Sequence, residues 1–395
     1  MTFKQRFIEF WSNPRNIFWV GLVLTVGIVM MEFLHNGMEN HIDYSDATRN
    51  FFNGVSSYTK EYVDAHGRYF IYTPVFCFLY APFAFLPKLI GGLLWDIGCY
   101  CLFFFGIMKL PMQYEGKRAA MILYLLAFLG QSLFEFQYNT IVCAIFLLVY
   151  ILLERGHNFW AVLLIMFSAT TKVYGAVELA LLFCYPRFWR NLGYAVACGI
   201  GFILLPATVL GFEGLTQWYV DWWAILDDHQ NCTGPYFSLI WAEPTRFIVR
   251  PNERWFQIGI LAVLAVLFLL CHKSWRDTDF KVGVLATLMC YIVIMSEAAE
   301  FCTYIIPASG IALWYFNRNT RTDDACVVST GSRIDRILFW AFFILFGLMP
   351  IDIFCPTPLC MFVHTKLWIG VWLFAVLWVR VIYTTVAPCL KSLRK

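Results

Sequence analysis

In this chain of 395 residues, 60% are hydrophobic, 19% aromatic and only 14% charged, whereas about a quarter of the residues of a soluble protein carry charge. That balance excludes an ordinary soluble enzyme and places the chain in the membrane class. The formal net charge of +3 says little by itself, but no basic, aromatic-interleaved platform is present to bind nucleic acid.

Hydrophobic runs of roughly 16 to 22 residues recur from end to end, each long enough to cross about 30 Å of hydrocarbon. The first, Ile17–Leu34, lacks a small-residue cleavage site and reads as a retained helix rather than a signal peptide. With Lys4, Arg6 and Arg15 on the cytoplasmic side, about twelve spans are predicted. They lie near 17–34, 89–108, 119–135, 139–153, 159–171, 174–185, 192–211, 256–271, 282–296, 301–316, 337–350 and 367–386. Inner segments then hold Lys109, Lys117, Arg118, Arg155, Arg187, Arg190, Lys273, Arg276, Lys281, Arg318, Arg321, Arg333 and Arg336. Roughly twenty of the 29 Lys and Arg fall inside, and both termini are cytoplasmic. The expected fold is an all-α polytopic membrane protein with helices at its outer interface, forming one domain over residues 1–395.

Tyr69–Pro87 does not fit that parity. It is apolar, but three prolines weaken a straight helix, and counting it as a span reverses every later loop. It reads as an interfacial or re-entrant element shielded by protein. The other reading makes it a true span and leaves one of the shorter later runs uncrossed.

Two outer loops, 35–70 and 212–255, are long enough to carry an active-site face. The first half of the second is aromatic and amphipathic, as suits a helix lying at headgroup level. A third outer loop, Ile351–Lys366, is short and Pro-rich, and the inner loop Asn317–Arg336 reads as a connector. Fourteen cysteines are spread mostly through the spans as small apolar fillers, and Cys355 and Cys360 can be either paired or free.

Ionisable groups at a membrane edge are costly and are functional candidates by default. On the outer side they are Asp43, Asp46, Lys172, Asp227, Asp228, His229, Glu297, Glu300, His364 and Lys366, and the inner side has no comparable set. Asp43 and Asp46 share a helix face at a spacing of three, where a carboxylate can serve as general base on a sugar or lipid hydroxyl. Helix capping by Asp43 or Ser45 is the competing reading. Lys172 at an outer span end can neutralise a departing lipid phosphate, or simply snorkel, with Glu178 as its partner or as a separate contact. Glu300 can bind acceptor hydroxyls or accept a bond from a neighbouring helix. Gln137 and Asn139 offer amides to sugar hydroxyls, with capping an equal reading for Asn139. Asp227, Asp228 and His229 form a polar triplet too sparse for a metal site. No Walker motif, GxGxxG, HExxH or paired CxxC occurs, so no cofactor is expected and a divalent metal stays open.

The chain resembles glycosyltransferase family 87, the polyprenol-phosphate-mannose-dependent mannosyltransferases of the GT-C superfamily, in Bacteroidetes-type form. The likeness runs through Asp43-Tyr44, Phe51-Phe52-Asn53-Gly54 and Tyr58, then Tyr72-Thr73-Pro74, Ala81-Pro82 with Leu86-Pro87, and Leu94-Trp95. It continues in Gln137-Tyr138-Asn139, Glu154-Arg155-Gly156, Thr171-Lys172-Val173-Tyr174-Gly175, Tyr185-Pro186, Trp222 to His229, and Glu300 with Thr303 to Ile306. The resemblance implies a GT-C-like bundle in a bacterial inner membrane and inverting transfer of a hexose, with mannose favoured. The donor would be a polyprenyl-phosphate sugar and the acceptor a lipid or glycan on the extracytoplasmic face. It also implies Asp43 as base, with Asp46 as understudy. Asp228, His229 and Lys366 join Lys172, Glu300, Gln137 and Asn139 as expected substrate contacts. The segment from Asp43 to Gly54 is shorter than is usual in the family, which shifts the register of the two acids. A lipid or solute transporter is the reading from another class. It calls for ionisable groups near the midplane and a repeated half-structure, and no repeat is seen. A non-enzymatic assembly protein is a third reading and needs no acid at position 43.

Overall fold

The computed structural model describes residues 2–35, 37–112, 117–230, 236–243, 245–318 and 332–393, and all regular structure in them is helical. The chain opens with α1 (Phe3–Ser12) and α2 (Pro14–Leu34), the latter started by Asn13, whose side chain accepts from the Arg15 amide at 3.0 Å. Three short elements follow outside the first span: α3 (Glu39–Phe52), α4 (Lys60–His66) and α5 (Pro74–Ala84). Then come α6 (Lys88–Lys109), α7 (Arg118–Phe134), α8 (Asn139–Glu154) and α9 (Asn158–Thr171). A 3-10 segment, Val173–Cys184, turns back from α9. The second half holds α10 (Phe188–Leu204), α11 (Ala207–Gln230), α12 (Thr245–Val249), α13 (Glu253–Leu270), α14 (Thr278–Ile294) and α15 (Ile305–Asn317). It ends with α16 (Arg333–Phe342), α17 (Thr357–Met361) and α18 (Ile369–Leu393).

The apolar pattern decides which helices sit inside. α15 is buried along its whole length, and α14 from Phe280 to Ile294 except at Lys281, as expected of helices apolar on every side. They approach closely because a Cβ on Gly310 would lie 3.0 Å from the Ala286 Cα. α2, α10 and α13 instead leave Val23, Leu24, Trp189, Ile200, Ile258 and Val263 exposed. Such a belt is too large for a water-facing surface and suits lipid.

Among the described residues, four helices are long and apolar enough to cross a membrane: α2, α6, α13 and, within α18, Ile369–Lys391. α10 and α11 together make a fifth if counted as one span, but they meet at 90°. Near the start of α11, Gly211 has φ +68°, a left-handed conformation that favours glycine. The aromatic half of the second outer loop therefore runs crosswise to α10. Other expected spans fall on shorter apolar helices, α7, α8 and α9, and on the 3-10 segment.

Tyr69–Pro87 forms only α5, whose 11 residues rise about 16 Å, half of a hydrocarbon core. It packs along α3. Gly91 and Gly92 at the start of α6 permit this: Cβ atoms there would lie 2.5 Å from the Phe83 carbonyl oxygen and 2.1 Å from the Met38 side chain.

The two ends of the bundle differ. α8 carries Asn139 at one end and Glu154 at the other, about 24 Å away along 16 residues. There Glu154 pairs with Lys281 at 2.8 Å and accepts from the Tyr185 hydroxyl at 2.6 Å. Arg318 and Arg380 likewise both close on buried Asp335, at 2.8 and 2.7 Å. Cys355 and Cys360 are free thiols. Most of the expected inner connector, residues 319–331, lies outside the described residues.

Candidate active site

At the Asn139 end, a cavity of about 420 Å³ opens between α3, the 67–72 loop, the α7–α8 turn, Lys172 and the 298–303 stretch. Its lining residues Tyr44 and Tyr72 belong to a buried aromatic cluster with Phe76, Tyr80 and Trp95, ring centroids 4.5 to 6.4 Å apart. Each such pair contributes about 0.5–1.5 kcal/mol beyond area burial. The Tyr44 and Tyr72 hydroxyls meet at 2.9 Å, and Tyr58 donates to the Tyr72 carbonyl at 2.7 Å. His41 is bonded to the Tyr80 hydroxyl, and its burial lowers its pKa to about 4. This rigid platform fixes the residues on its rim, Asp43 beside Tyr44 among them.

Asp43 lines the cavity with its side chain 16% exposed, and Arg68 reaches its Oδ2 at 3.2 Å. A second nitrogen of Arg68 holds Glu39 at 2.9 Å. Burial pushes the Asp43 carboxyl up; Arg68 and His66 oppose the shift, and Asp46 and Glu39 add to it. Capping is not its role. α3 begins at Glu39 after Met38, which has φ +65°, so Asp43 and Ser45 lie inside the helix. Asp46, three residues on, is 34% exposed, faces Arg49 at 3.6 Å and His66 at 3.9 Å, and does not line the cavity.

Across the cavity, Lys172 Nζ donates to Asn139 Oδ1 at 2.9 Å and lies over the rings of Tyr72 and Tyr174, at 5.6 and 4.9 Å. The lysine is thus held inward rather than snorkelling. Nor is Glu178 its partner: both Glu178 carboxyl oxygens are buried without a hydrogen bond. Asn139 makes no capping bond to α8; its amide instead faces Gln137 Oε1 at 3.4 Å. Glu300 lines the cavity and also caps the turn Phe301–Tyr304 together with Thr303. Gly175 packs so tightly that a Cβ would lie 2.5 Å from the Ala169 nitrogen. Gly175→Val is therefore expected to cost about 1–3 kcal/mol by overpacking and to displace Lys172. Thermal unfolding in detergent checks this, and an unchanged melting point rules it out.

The remaining expected contacts lie elsewhere. Asp228 accepts from the Tyr69 hydroxyl at 2.8 Å, touching the cavity only through that lining residue. Lys366 is exposed and outside the lining, and the side chain of His229 lies outside the described residues. Buried His364 packs on Phe301 and Phe346 instead, with Nε2 on the Leu345 carbonyl at 3.1 Å. Among the described residues no three His, Cys, Asp or Glu side chains come together to hold a metal ion.

The structure adds Arg68 and Glu135 to the cavity. Phe136, at φ +51°, bends the α7–α8 turn so that Glu135 and Gln137 both line it. Trp95 donates to the Phe136 carbonyl at 3.2 Å and Asn40 to the Glu135 carbonyl at 2.7 Å, pinning the turn. Glu135 keeps access to solvent through the cavity, yet desolvation, then Glu300, Glu32 and Glu39, raise its pKa from 4.5 to about 7 against Arg68. A carboxyl raised on folding favours the fold below its unfolded pKa and loses that contribution as pH rises through the folded value. Glu135→Gln is therefore expected to melt slightly above wild type at pH 8 and level with it below pH about 4.5. Solvent access keeps the difference small. Melting curves across that range decide it; a gap that persists at pH 4 contradicts it.

The sequence profile of glycosyltransferase family 87 matches residues 70–296, more than half of the chain. The chain belongs to that family. No curated protein and no solved structure matches it. This family 87 member is thus a membrane glycosyltransferase, which acts on a sugar donor and an acceptor. The matched region of the glycosyltransferase takes in Glu135, Gln137, Asn139, Lys172, Asp228 and His229, while Asp43, Asp46, Arg68, Glu300 and Lys366 lie outside it.

Proposed function

We propose that this cavity transfers a hexose, mannose by the family likeness, from a polyprenyl-phosphate sugar to a lipid or glycan hydroxyl. The transfer takes place on the extracytoplasmic face of an inner-membrane bundle of about twelve spans with both termini inside. The observation that carries this reading is that Asp43 and Lys172 line one cavity in a family 87 chain. Asp43 takes the proton of the acceptor hydroxyl as its oxygen attacks the anomeric carbon. The bond from that carbon to the phosphate oxygen breaks on the far side, giving inversion, and the electron pair leaves with polyprenyl phosphate. A phosphate leaving group needs no strong general acid, so a cation beside it suffices, and Lys172, held by Asn139, supplies it. Gln137, Asn139 and Glu300 face the space between and order sugar hydroxyls. Asp46, Asp228, His229 and Lys366 are assigned no direct contact.

The test is transfer in native membranes from radiolabelled polyprenyl-phosphate hexoses, with nucleotide sugars as the comparison. Label moving from the lipid donor into a new lipid or glycan product is the expected result. Label moving only from the nucleotide sugar removes the polyprenyl donor, and no consumption of either removes the reading.

A further inference from the structure

Arg68 occupies a place that the reaction above leaves unused. Its guanidinium spends one nitrogen on Asp43 at 3.2 Å and another on Glu39 at 2.9 Å, and all three side chains line the cavity. A base locked to a guanidinium accepts protons poorly, because the ion pair stabilises the carboxylate it must give up. The lock is not deeply built, since Arg68 is 37% and Glu39 65% exposed, and ion pairs so open to water are weak. The loop that carries Arg68 is tied on both sides, by Gly67 donating to the Val63 carbonyl at 2.7 Å and Tyr69 to Asp228 at 2.8 Å, so it is the Arg68 side chain that changes partner. Gly67, with φ +69°, ends α4 just before Arg68, while the far end is held by Trp222 donating to the Ile71 carbonyl at 3.0 Å and Tyr58 to that of Tyr72. A phosphodiester in the cavity offers the same guanidinium fork a second pair of anionic oxygens.

We propose that Arg68 is a second donor-phosphate ligand, and that its move from the Asp43–Glu39 pair to the phosphate frees the base only once donor is bound. This rests on the reading of Asp43 as base. It orders the reaction donor first, and it keeps the acceptor hydroxyl from being deprotonated beside no sugar.

The charged and titratable groups facing Asp43 are Glu39 and Asp46 on α3, Tyr62 and His66 on α4, and Arg68 itself, with Glu135 beyond Arg68 on the α7–α8 turn. Arg68 is the attracting cation whose position differs between the two states. The pH dependence of kcat/KM for donor reports the free enzyme and that of kcat the loaded enzyme. In wild type the acid limb of kcat/KM is therefore expected at lower pH than that of kcat, because Arg68 favours the carboxylate only in the free state. In Arg68→Gln the two limbs coincide at the higher pH, and the donor KM rises about tenfold or more. Arg68→Lys restores part of the donor KM, and Glu39→Gln changes the gap between the limbs. Coincident limbs in wild type, or an unchanged donor KM in Arg68→Gln, overturn the latch. A merely structural Arg68 would lower rates without moving either limb relative to the other. If wild type transfers nothing, it is the assignment of function that fails instead.

Discussion

Asp43→Asn is expected to lower transfer by about 10²- to 10⁴-fold, the usual contribution of a positioned general base, while Asp46→Asn keeps most of its activity. The two acids lie one helical turn apart, but only Asp43 lines the cavity; Asp46 turns to Arg49 and His66 on the outer surface. Asn preserves shape and still accepts a bond from Arg68, so folding is expected to survive, and the melting point in detergent verifies that. Burial holds the Asp43 carboxyl above its ordinary value, so its proton-accepting form grows in as pH rises and activity falls on the acid side. That acid limb is expected to vanish from whatever residual rate Asp43→Asn retains. Transfer measured in membranes with lipid-linked donor settles both points. Full activity in Asp43→Asn removes this residue from the chemistry, and loss confined to Asp46→Asn exchanges the two roles.

Asp43, Gln137, Asn139, Lys172 and Glu300 stand out in the sequence because each is a polar group beside a long apolar run, where burying it is costly. The structure gathers all five around one cavity. What the sequence hid depends on backbone direction. Glu135 is two residues from Gln137, yet only the left-handed Phe136 swings it onto the same wall. Arg68 reads as the end of a loop, and its two carboxylate partners lie 25 and 29 positions away. Helix starts misled in the opposite way: Met38, without a capping side chain, begins α3 five residues earlier than a cap at Asp43 would. The fold shows the same division. Apolar length and prolines set Tyr69–Pro87 apart from the other apolar runs, but its packing on α3 needs Gly91 and Gly92 in the next helix.

Lys172→Met is expected to reduce kcat by about 10²- to 10³-fold, the loss seen when one preorganised donor to a developing anion is removed. Met keeps the length and apolar stem, so packing against Tyr72 and Tyr174 survives while the charge and the bond to Asn139 go. Lys172 sits at the turn between α9 and the 3-10 segment, where desolvation lowers its pKa to about 8 against the pull of Cys302 and Glu300. It is charged below that value and neutral above it, so the leaving phosphate loses its counter-charge as pH rises through about 8. Wild type is accordingly expected to show an alkaline limb near that pH. Lys172→Arg, which stays protonated, carries the limb upward even if its broader head lowers the rate. The same substitutions separate phosphate stabilisation from simple bracing of the turn. A bracing lysine would be replaced by Arg or Met with a common fall in melting point and no change in the alkaline limb. Rates for donors with leaving groups of different basicity sharpen the distinction, because a lysine acting on the phosphate matters most where the departing anion is least stable. A Lys172→Met enzyme that loses the same factor with every donor would place the residue in sugar or acceptor binding instead.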